Sequence, residues 1–184
     1  MKRLAAVIVV VAVAAPASAL AAKTGTLTSG NIKITGPVHF QSALNSKLQP
    51  FCGFSNDHRG LEIRMNFGTG ALGSIRPTGA FSFRVGQGAG LGAATPSPVL
   101  HDGTYNLARI KQADASFQPF GKKAGTIYAM AYGHGPSSLT LKNNLLSGHF
   151  SAPLYPEHST HQGPAGDPTK TPLHAVVNWK CKLS

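Results

Sequence analysis

The sequence predicts an all-β fold, an antiparallel β-sandwich or small barrel of about eight to nine strands. Three observations lead to this prediction. Apolar and polar residues alternate with period two along much of the chain, 21 glycines and 13 prolines supply turns, and only 12% of the 184 residues are charged. So few charged residues argue against long surface helices, which need charged wet faces. The apolar content of 42% argues against a disordered chain.

The N-terminal segment 1–22 is predicted to be a cleaved signal peptide and not part of the fold. Two basic residues precede the apolar run Leu4–Ala15, and residues 17–19 form a small-x-small cleavage pattern. The apolar run is too short to span a membrane, which takes about 20 residues. The remaining segment 23–184 is expected to form a single β-sandwich domain that is secreted or periplasmic, with no transmembrane segment.

The period-two pattern marks the predicted strands one by one. In the first strand Ile32 and Ile34 alternate with polar neighbours, and in the last strand Trp179 lies on the face opposite Lys180. The segment Thr126–Tyr132 has no polar face and is predicted to be a central strand covered on both sides. The full set of predicted strands is 31–35, 61–67, 81–85, 104–110, 126–132, 138–142, 145–152 and 174–183.

Turns and two long loops are predicted to connect these strands. Asn143-Asn144 has the spacing of a hairpin turn, and Ser55–Gly60 is typical of a polar turn. The segments 86–98 and 154–172, the second a Pro/Gly/His-rich segment, are predicted to be long loops of the kind that often carry function. Gly88–Ala93 has the residue spacing of a dinucleotide-binding fingerprint. That motif must lie at the start of a helix, and the prolines that follow here prevent one, so no dinucleotide site is expected.

Two cysteines, Cys52 and Cys181, lie in the predicted exported region. One disulfide is the simplest expectation for two cysteines in an oxidising compartment, and two buried thiols are the alternative. The bridge would enclose 128 residues. In the chain-entropy model this constraint stabilises the fold by about 5 kcal/mol. Its role would be structural, because it would join an early segment to the last strand.

Histidines in the segment 154–172 suggest an alternative function, the binding of copper or zinc. His158 and His161 are separated by two residues, with Glu157 adjacent, and imidazole and carboxylate suit these metals. Solvent-exposed loop histidines without a metal are the favoured interpretation. The pieces 148–150 and 161–167 locally resemble the metal loop of copper/zinc superoxide dismutases. The chain lacks the His-x-His strand that supplies copper ligands in that family, so the resemblance implies no copper site.

No sequence pattern indicates catalysis, so the predicted function is non-enzymatic and no cofactor is expected. The chain has no G-x-S-x-G nucleophile elbow, and its six carboxylates form no acid–base pair. The protein is therefore expected to act as an envelope or extracellular binding protein.

The formal charge of +11 points to anionic envelope polymers, such as lipopolysaccharide or teichoic acid, as partners. Nucleic acid is not expected, because no basic motif with interleaved aromatic residues is present. Strand alternation places Lys33 and Arg84 outward, together with the three candidate anion-binding residues Arg64, Lys180 and Lys182. Whether these residues form one patch depends on the strand order, which the sequence alone does not determine.

Overall fold

The computed structural model describes residues 22–69, 76–86, 98–120, 126–160 and 163–183. It confirms the all-β prediction, because the strands in this part of the chain pair in antiparallel fashion throughout. Twelve strands form among the described residues, more than the eight to nine predicted. The helical segments there are two short 3₁₀ turns, Ser46–Leu48 and Leu107–Arg109.

The strands are numbered in chain order. They are β1 (Ala22–Thr35), β2 (Phe40–Ala43), β3 (Phe51–Ser55), β4 (Gly60–Thr69), β5 (Arg76–Gly86), β6 (Gly103–Asn106), β7 (Ala113–Pro119), β8 (Tyr128–Ala129), β9 (Ser138–Lys142), β10 (Ser147–Thr160), β11 (Gly163–Gly166) and β12 (Leu173–Leu183).

Strand pairing closes the sheet on itself. The pairing order runs β12-β1-β3-β4-β5-β7-β8-β10, and β10 then pairs back with β12 along Ser147–Leu154. β9 and β6 continue the sheet from β10, β2 adds to β1, and β11 adds to β10. One closed sheet therefore forms, which corresponds to the small-barrel form of the prediction.

Alternate side chains of the closed sheet fill its interior. On β4, for example, Ile63 and Met65 are fully buried while Arg64 between them is exposed. Phe150 of β10 packs against two residues of β5, with its ring centroid 5.4 Å from that of Phe81 and 5.0 Å from that of Phe83. β10 and β5 are not paired, so these contacts cross the interior. The other alternate side chains point outward, where solvent and ligands can contact them.

Two strands are shorter than predicted. Of the segment Thr126–Tyr132 only Tyr128–Ala129 forms a strand, although Ile127 and Met130 each make a backbone hydrogen bond to a neighbouring strand. The chain then turns, with the His134 N–H donating to the Ala131 carbonyl at 3.2 Å. The strand predicted over residues 104–110 ends at Asn106 in the structure. The Asn106 side chain accepts a hydrogen bond from the Ala108 N–H at 3.1 Å and begins a 3₁₀ turn. Local hydrogen bonds of this kind compete with strand pairing.

The prediction of a continuous loop over 154–172 is wrong for its first part. β10 extends to Thr160, and β11 pairs back onto it with Glu157 opposite Gly166. A turn follows, in which the Asp167 carboxylate accepts hydrogen bonds from the N–H and the hydroxyl of Thr169 at 3.0 and 2.7 Å. The proline content suggested a loop, but proline is tolerated where the strand ladder does not use its nitrogen.

The predicted hairpin is confirmed, but its turn has four residues, 143–146, and not two, because β10 begins at Ser147 and not at residue 145. Asn143 and Asn144 have φ values of 58° and 56°, and they connect β9 to β10 between the paired residues Lys142 and Ser147. The predicted signal peptide as far as residue 21, the fingerprint-like Gly88–Ala93 and His161 lie outside the described residues. Within the described ranges no helix is long and apolar enough to span a membrane.

Candidate anion-binding face

Four exposed lysines share one outer side of the closed sheet. Lys142 is on β9, Lys180 and Lys182 are on β12, and Lys33 is on β1. Each alternates with buried neighbours, so the strand register holds it on the solvent side. We call this surface the lysine face: the outward side of β9, β12, β1 and the Ser147–Ser151 part of β10.

The register sets the spacing of these charges. Lys180 pairs with Ser147, and Ser147 pairs with Lys142, so the two lysines lie in one row. Two strand spacings separate them, about 10 Å. Lys182 lies two residues further along β12, about 7 Å away. Lys33 is at the other end of the face, about 20 Å from Lys182 along the strand direction.

A row of hydrogen-bonded polar side chains crosses the middle of the lysine face. The Asn178 side-chain amide donates to Asn31 Oδ1 at 3.0 Å. Its oxygen therefore faces His149, whose Nδ1 lies 2.7 Å away. Because that oxygen only accepts, His149 carries a proton on Nδ1. The Nε2 atom of the neutral ring is then the acceptor, and the network fixes the ring orientation.

No carboxylate lies on the lysine face within the described part of the chain. None of the four ammonium groups is within 4.0 Å of a carboxylate oxygen there. A surface that carries one sign of charge attracts polyanions over a distance of about a Debye length. Glu157 is on β10, beyond the part that belongs to the lysine face, and the other five acidic residues lie in turns or on other strands: Asp57, Glu62, Asp102, Asp114 and Asp167.

Two shallow cavities indent the lysine face. One has a volume of about 420 Å³ and is lined by Lys142, His149 and Lys180 among others. The other, about 530 Å³, is lined by Lys33, Asn31 and residues of β2. Both cavities reach Asn178. The charged groups and the hydrogen-bonding row therefore border one continuous, uneven surface.

Arg64 is not part of the lysine face. β1 and β3 lie between its strand β4 and β12, which separates it from Lys182 by about 14 Å. Its Nε donates to Glu62 Oε1 at 2.8 Å, and its guanidinium lies 4.9 Å from the Phe51 ring centroid. Arg84 lies 3.8 Å from the same Glu62 oxygen. The structure brings Lys180 and Lys182 together, but it places Arg64 beside an acid instead.

The histidines do not gather in the described part of the chain. His158 lies on β10 opposite Ala165, and nothing is described of its side chain, while His161 lies outside the described residues. His149 is nine residues from His158 on the same strand, about 30 Å of extended chain. Among the described residues no group of three or more histidine, cysteine or acidic side chains has the geometry to hold a metal.

The two cysteines meet across β1. Cys52 is on β3 opposite Gly25, and Cys181 is on β12 opposite Leu27, so the two flanking strands bring both thiols to the same buried region. Both are free thiols in this structure. A hydrogen bond from Cys181 lowers the pKa of Cys52, and that same contact, together with burial, raises the pKa of Cys181. The disulfide remains a prediction.

Sequence reasoning missed Lys142, Asn31 and Asn178 as members of a site. Their outward direction was readable from alternation, but their neighbours depend on strand order. Comparison with known proteins adds no family to this picture: no protein-family model, curated protein or solved structure matches the chain.

Proposed function

We propose that this protein is an exported, non-enzymatic binding protein that holds anionic envelope polymers on the lysine face. One observation carries the proposal: four exposed lysines without carboxylate partners share a sheet face on which no acid lies in the described part of the chain. Unpaired cations on a fixed face attract phosphate or carboxylate groups and release counterions.

The spacing of the lysines favours a polymer over a small ion. The four charges spread over about 20 Å, further apart than one phosphate can bridge. The cavities between them are shallow, and lysine is a flexible point charge that does not shape a tight bidentate site. A chain with repeated anionic groups can contact several of the lysines at once, so that weak contacts add up.

The polar row supports a polymer with a sugar backbone. The His149 Nε2 atom is a hydrogen-bond acceptor when the ring is neutral, and Asn31 and Asn178 add amide groups between the charged positions. Sugar hydroxyls both donate and accept hydrogen bonds, so they match such a mixed row. The lysines would bind the anionic groups, and the polar row would bind the hydroxyls between them.

Export and a disulfide belong to the same proposal. A signal peptide over residues 1–22 would place the protein where envelope polymers occur and where thiols are oxidised. There Cys52 and Cys181, whose thiols already interact, would lose two protons and two electrons to a disulfide donor by thiol–disulfide exchange. The resulting bond would join β3 to β12 and hold the edge of the lysine face in register.

Charge reversal at Lys142 and Lys180, which lie in one row of the lysine face, tests the proposal. Wild-type protein is mixed with immobilised lipopolysaccharide, lipoteichoic acid or neutral dextran at low salt. We expect binding to at least one anionic polymer, no binding to dextran, and a loss of at least about tenfold in the Lys142→Glu, Lys180→Glu variant, or about 1.4 kcal/mol.

The matched control is Lys47→Glu with Lys170→Glu, which changes the net charge equally at exposed positions away from the lysine face. We expect this control to bind within about twofold of wild type, because screening weakens charges beyond a Debye length. Equal losses of polymer affinity in both variants would show that only the net charge matters, and would contradict binding at the lysine face. Binding of dextran as tight as that of the anionic polymers would also contradict the proposal.

A further inference from the structure

We infer that a cleft beside β6 is a second binding site, which takes an acidic saccharide of one or two rings. The site borders the lysine face, with which it shares Ser138, Ser151 and His174, but it uses none of the four lysines and does not depend on the function proposed above. It is carried by two adjoining cavities, two cations, two tyrosines and a buried hydroxyl. Within the part of the chain that the structure describes, no acid lines the cavities and the hydroxyl has no partner.

The cleft lies where the sheet is interrupted. β6 pairs with β9 and ends the pairing order, and the short β8 continues the wall further along β10. Two cavities of about 670 and 650 Å³ lie against β6. They share Thr104, Tyr105 and Asn106, so they form one cleft along this strand. Each of the two cavities taken alone has a volume within the range of small-molecule sites.

The charge of the cleft selects an anion. Arg109 and Lys111 line the first cavity, and His174 lines the second. Among the described residues that line the two cavities there is no aspartate or glutamate. Arg109 is the last residue of the 3₁₀ turn that Asn106 caps, so this turn sets where its side chain leaves the backbone. An arginine guanidinium matches the planar geometry of a carboxylate.

Two tyrosines supply flat surfaces for a ring. Tyr132 is 49% exposed, which is unusual for a large aromatic side chain in this protein, and it lines the first cavity. Tyr105 is fixed in place, because its hydroxyl donates to the His101 carbonyl and accepts from the His101 N–H, both at 2.8 Å. Aromatic rings that are rigid and partly exposed provide binding surface at low entropic cost.

A buried hydroxyl in the second cavity lacks a partner. Ser137 is only 8% exposed, and its Oγ has no hydrogen bond among the described residues. Buried polar atoms are nearly always hydrogen-bonded, so an exception calls for an explanation. Ser137 lines the cavity together with Ser138 and Ser151. The Oγ atom itself is enclosed, and a rotation about χ1 toward the cavity would let a ligand hydroxyl satisfy it, which points to a polyhydroxylated ligand rather than a simple anion.

A saccharide with a carboxylate combines these requirements. Its ring would stack on a tyrosine, its hydroxyls would reach Ser137 and its neighbours, and its carboxylate would pair with Arg109. Phosphate alone would leave the tyrosines and Ser137 without a role. A neutral sugar would leave the two cations without a role.

The test is a titration of ¹⁵N-labelled protein with a glucuronate-containing disaccharide and with its neutral glucose counterpart. We expect amide shifts at Thr104, Ser137 and Arg109 with the acidic disaccharide, and binding at least about tenfold weaker for the neutral one, as expected for loss of a charge-assisted hydrogen bond. Arg109→Ala should weaken the acidic ligand about tenfold and leave the neutral ligand nearly unchanged.

Two further variants separate this site from structural effects and from the lysine face. Ser137→Ala should weaken both ligands without lowering the melting temperature, because it removes an unsatisfied buried hydroxyl. The Lys142→Glu, Lys180→Glu variant should bind the disaccharide as wild type does. Shifts confined to the lysine face, equal affinity for the acidic and neutral disaccharides, or no shifts at millimolar ligand would each overturn the inference.

Discussion

Asp102 illustrates how a single side chain fixes the turn at the edge of the lysine face. Its two carboxylate oxygens accept the N–H groups of Asn144 and Leu145, each at 3.0 Å. These residues follow Asn143, and all three have positive φ values of 58°, 56° and 68°. The two backbone hydrogen bonds hold the pKa of Asp102 below its ordinary value of 3.8. The ionised carboxylate thus stabilises a turn that is conformationally unfavourable for non-glycine residues.

We predict that Asp102→Asn lowers the melting temperature at neutral pH. A folded pKa below the unfolded one means that the stabilisation is present above the unfolded pKa and is lost as the pH falls through the folded pKa. The difference between wild type and variant should therefore shrink as the pH is lowered below the ordinary value. Thermal unfolding followed by circular dichroism over this pH range measures it.

The control for this prediction is Glu157→Gln, whose carboxylate has no hydrogen bond within the described part of the chain. It should leave the melting temperature nearly unchanged at both ends of the pH range. A pH-independent loss in Asp102→Asn would show that the carboxylate acts through its shape and not through its charge.

Gly148 makes room for the indole ring of the protein's one tryptophan. It pairs with Trp179 across β10 and β12, and a β-carbon added at Gly148 would collide with the indole ring. We predict that Gly148→Ala destabilises the fold by about 1–3 kcal/mol, the usual cost of overpacking. Urea unfolding measures the change. Ser151→Ala on the same strand should cost under about 0.5 kcal/mol, and a neutral Gly148→Ala would disprove the packing seen here.

At the scale of strands, the sequence predicted those whose alternation is long and regular. β4, β5, β9 and β12 were foreseen, because their apolar residues strictly alternate and the buried side of each is unambiguous. β11 has the sequence GPAG and gives no alternation to read. Its pairing with β10 is imposed by tertiary contacts, which local patterns do not report.

The core contacts of β10 give a second stability prediction. Phe150 packs against Phe81 and Phe83 across the interior, so truncation would leave a cavity with no neighbour able to fill it. We predict a loss of about 3–5 kcal/mol for Phe150→Ala, measured by chemical unfolding. Phe51→Ala is the control, because Phe51 lies on the outer side under Arg64 and should cost about 1 kcal/mol. Equal losses would contradict the assigned faces.

The pairing of β3 and β12 with opposite sides of β1 leads to a prediction about the cysteines. In exported protein, alkylation under denaturing, non-reducing conditions should find neither Cys52 nor Cys181 labelled. Reduction should then lower the free energy of unfolding by about 2–5 kcal/mol, as for other native disulfides. The Cys52→Ser, Cys181→Ser double variant should lose the same amount and no longer respond to reductant. Two labelled thiols in the exported protein would contradict the disulfide.

At the scale of the whole molecule, strand order decides which charges act together. Alternation alone placed Lys33, Arg64, Arg84, Lys180 and Lys182 outward, and the structure agrees, with Arg84 only partly exposed. Alternation also puts Glu62 two residues from Arg64 on the same face of β4, so that ion pair was readable from the sequence. It could not show that Lys142 lies in one row with Lys180, because that row follows from pairings between residues distant in sequence. The fold class was thus predictable from the sequence. For the site, the sequence predicted several of the outward-facing residues but not how they are arranged in space.

The closed sheet also explains why the lysine face can act as a fixed array. Each of its strands is paired on both sides along at least part of its length, so the lysine spacing does not depend on a flexible loop. A rigid arrangement lowers the entropy that must be lost when a polymer binds.

The salt dependence of polymer binding tests the central claim most directly. Affinity for lipopolysaccharide or lipoteichoic acid is measured between about 50 and about 200 mM salt for wild type, for Lys142→Glu with Lys180→Glu, and for Lys47→Glu with Lys170→Glu. If the four lysines each displace a counterion, the logarithm of affinity should fall against the logarithm of salt with a slope of about −3 to −4 in wild type. The slope should be shallower by about two in the first variant and unchanged in the second. Affinity that does not respond to salt, or a slope that both variants change equally, would contradict binding at the lysine face.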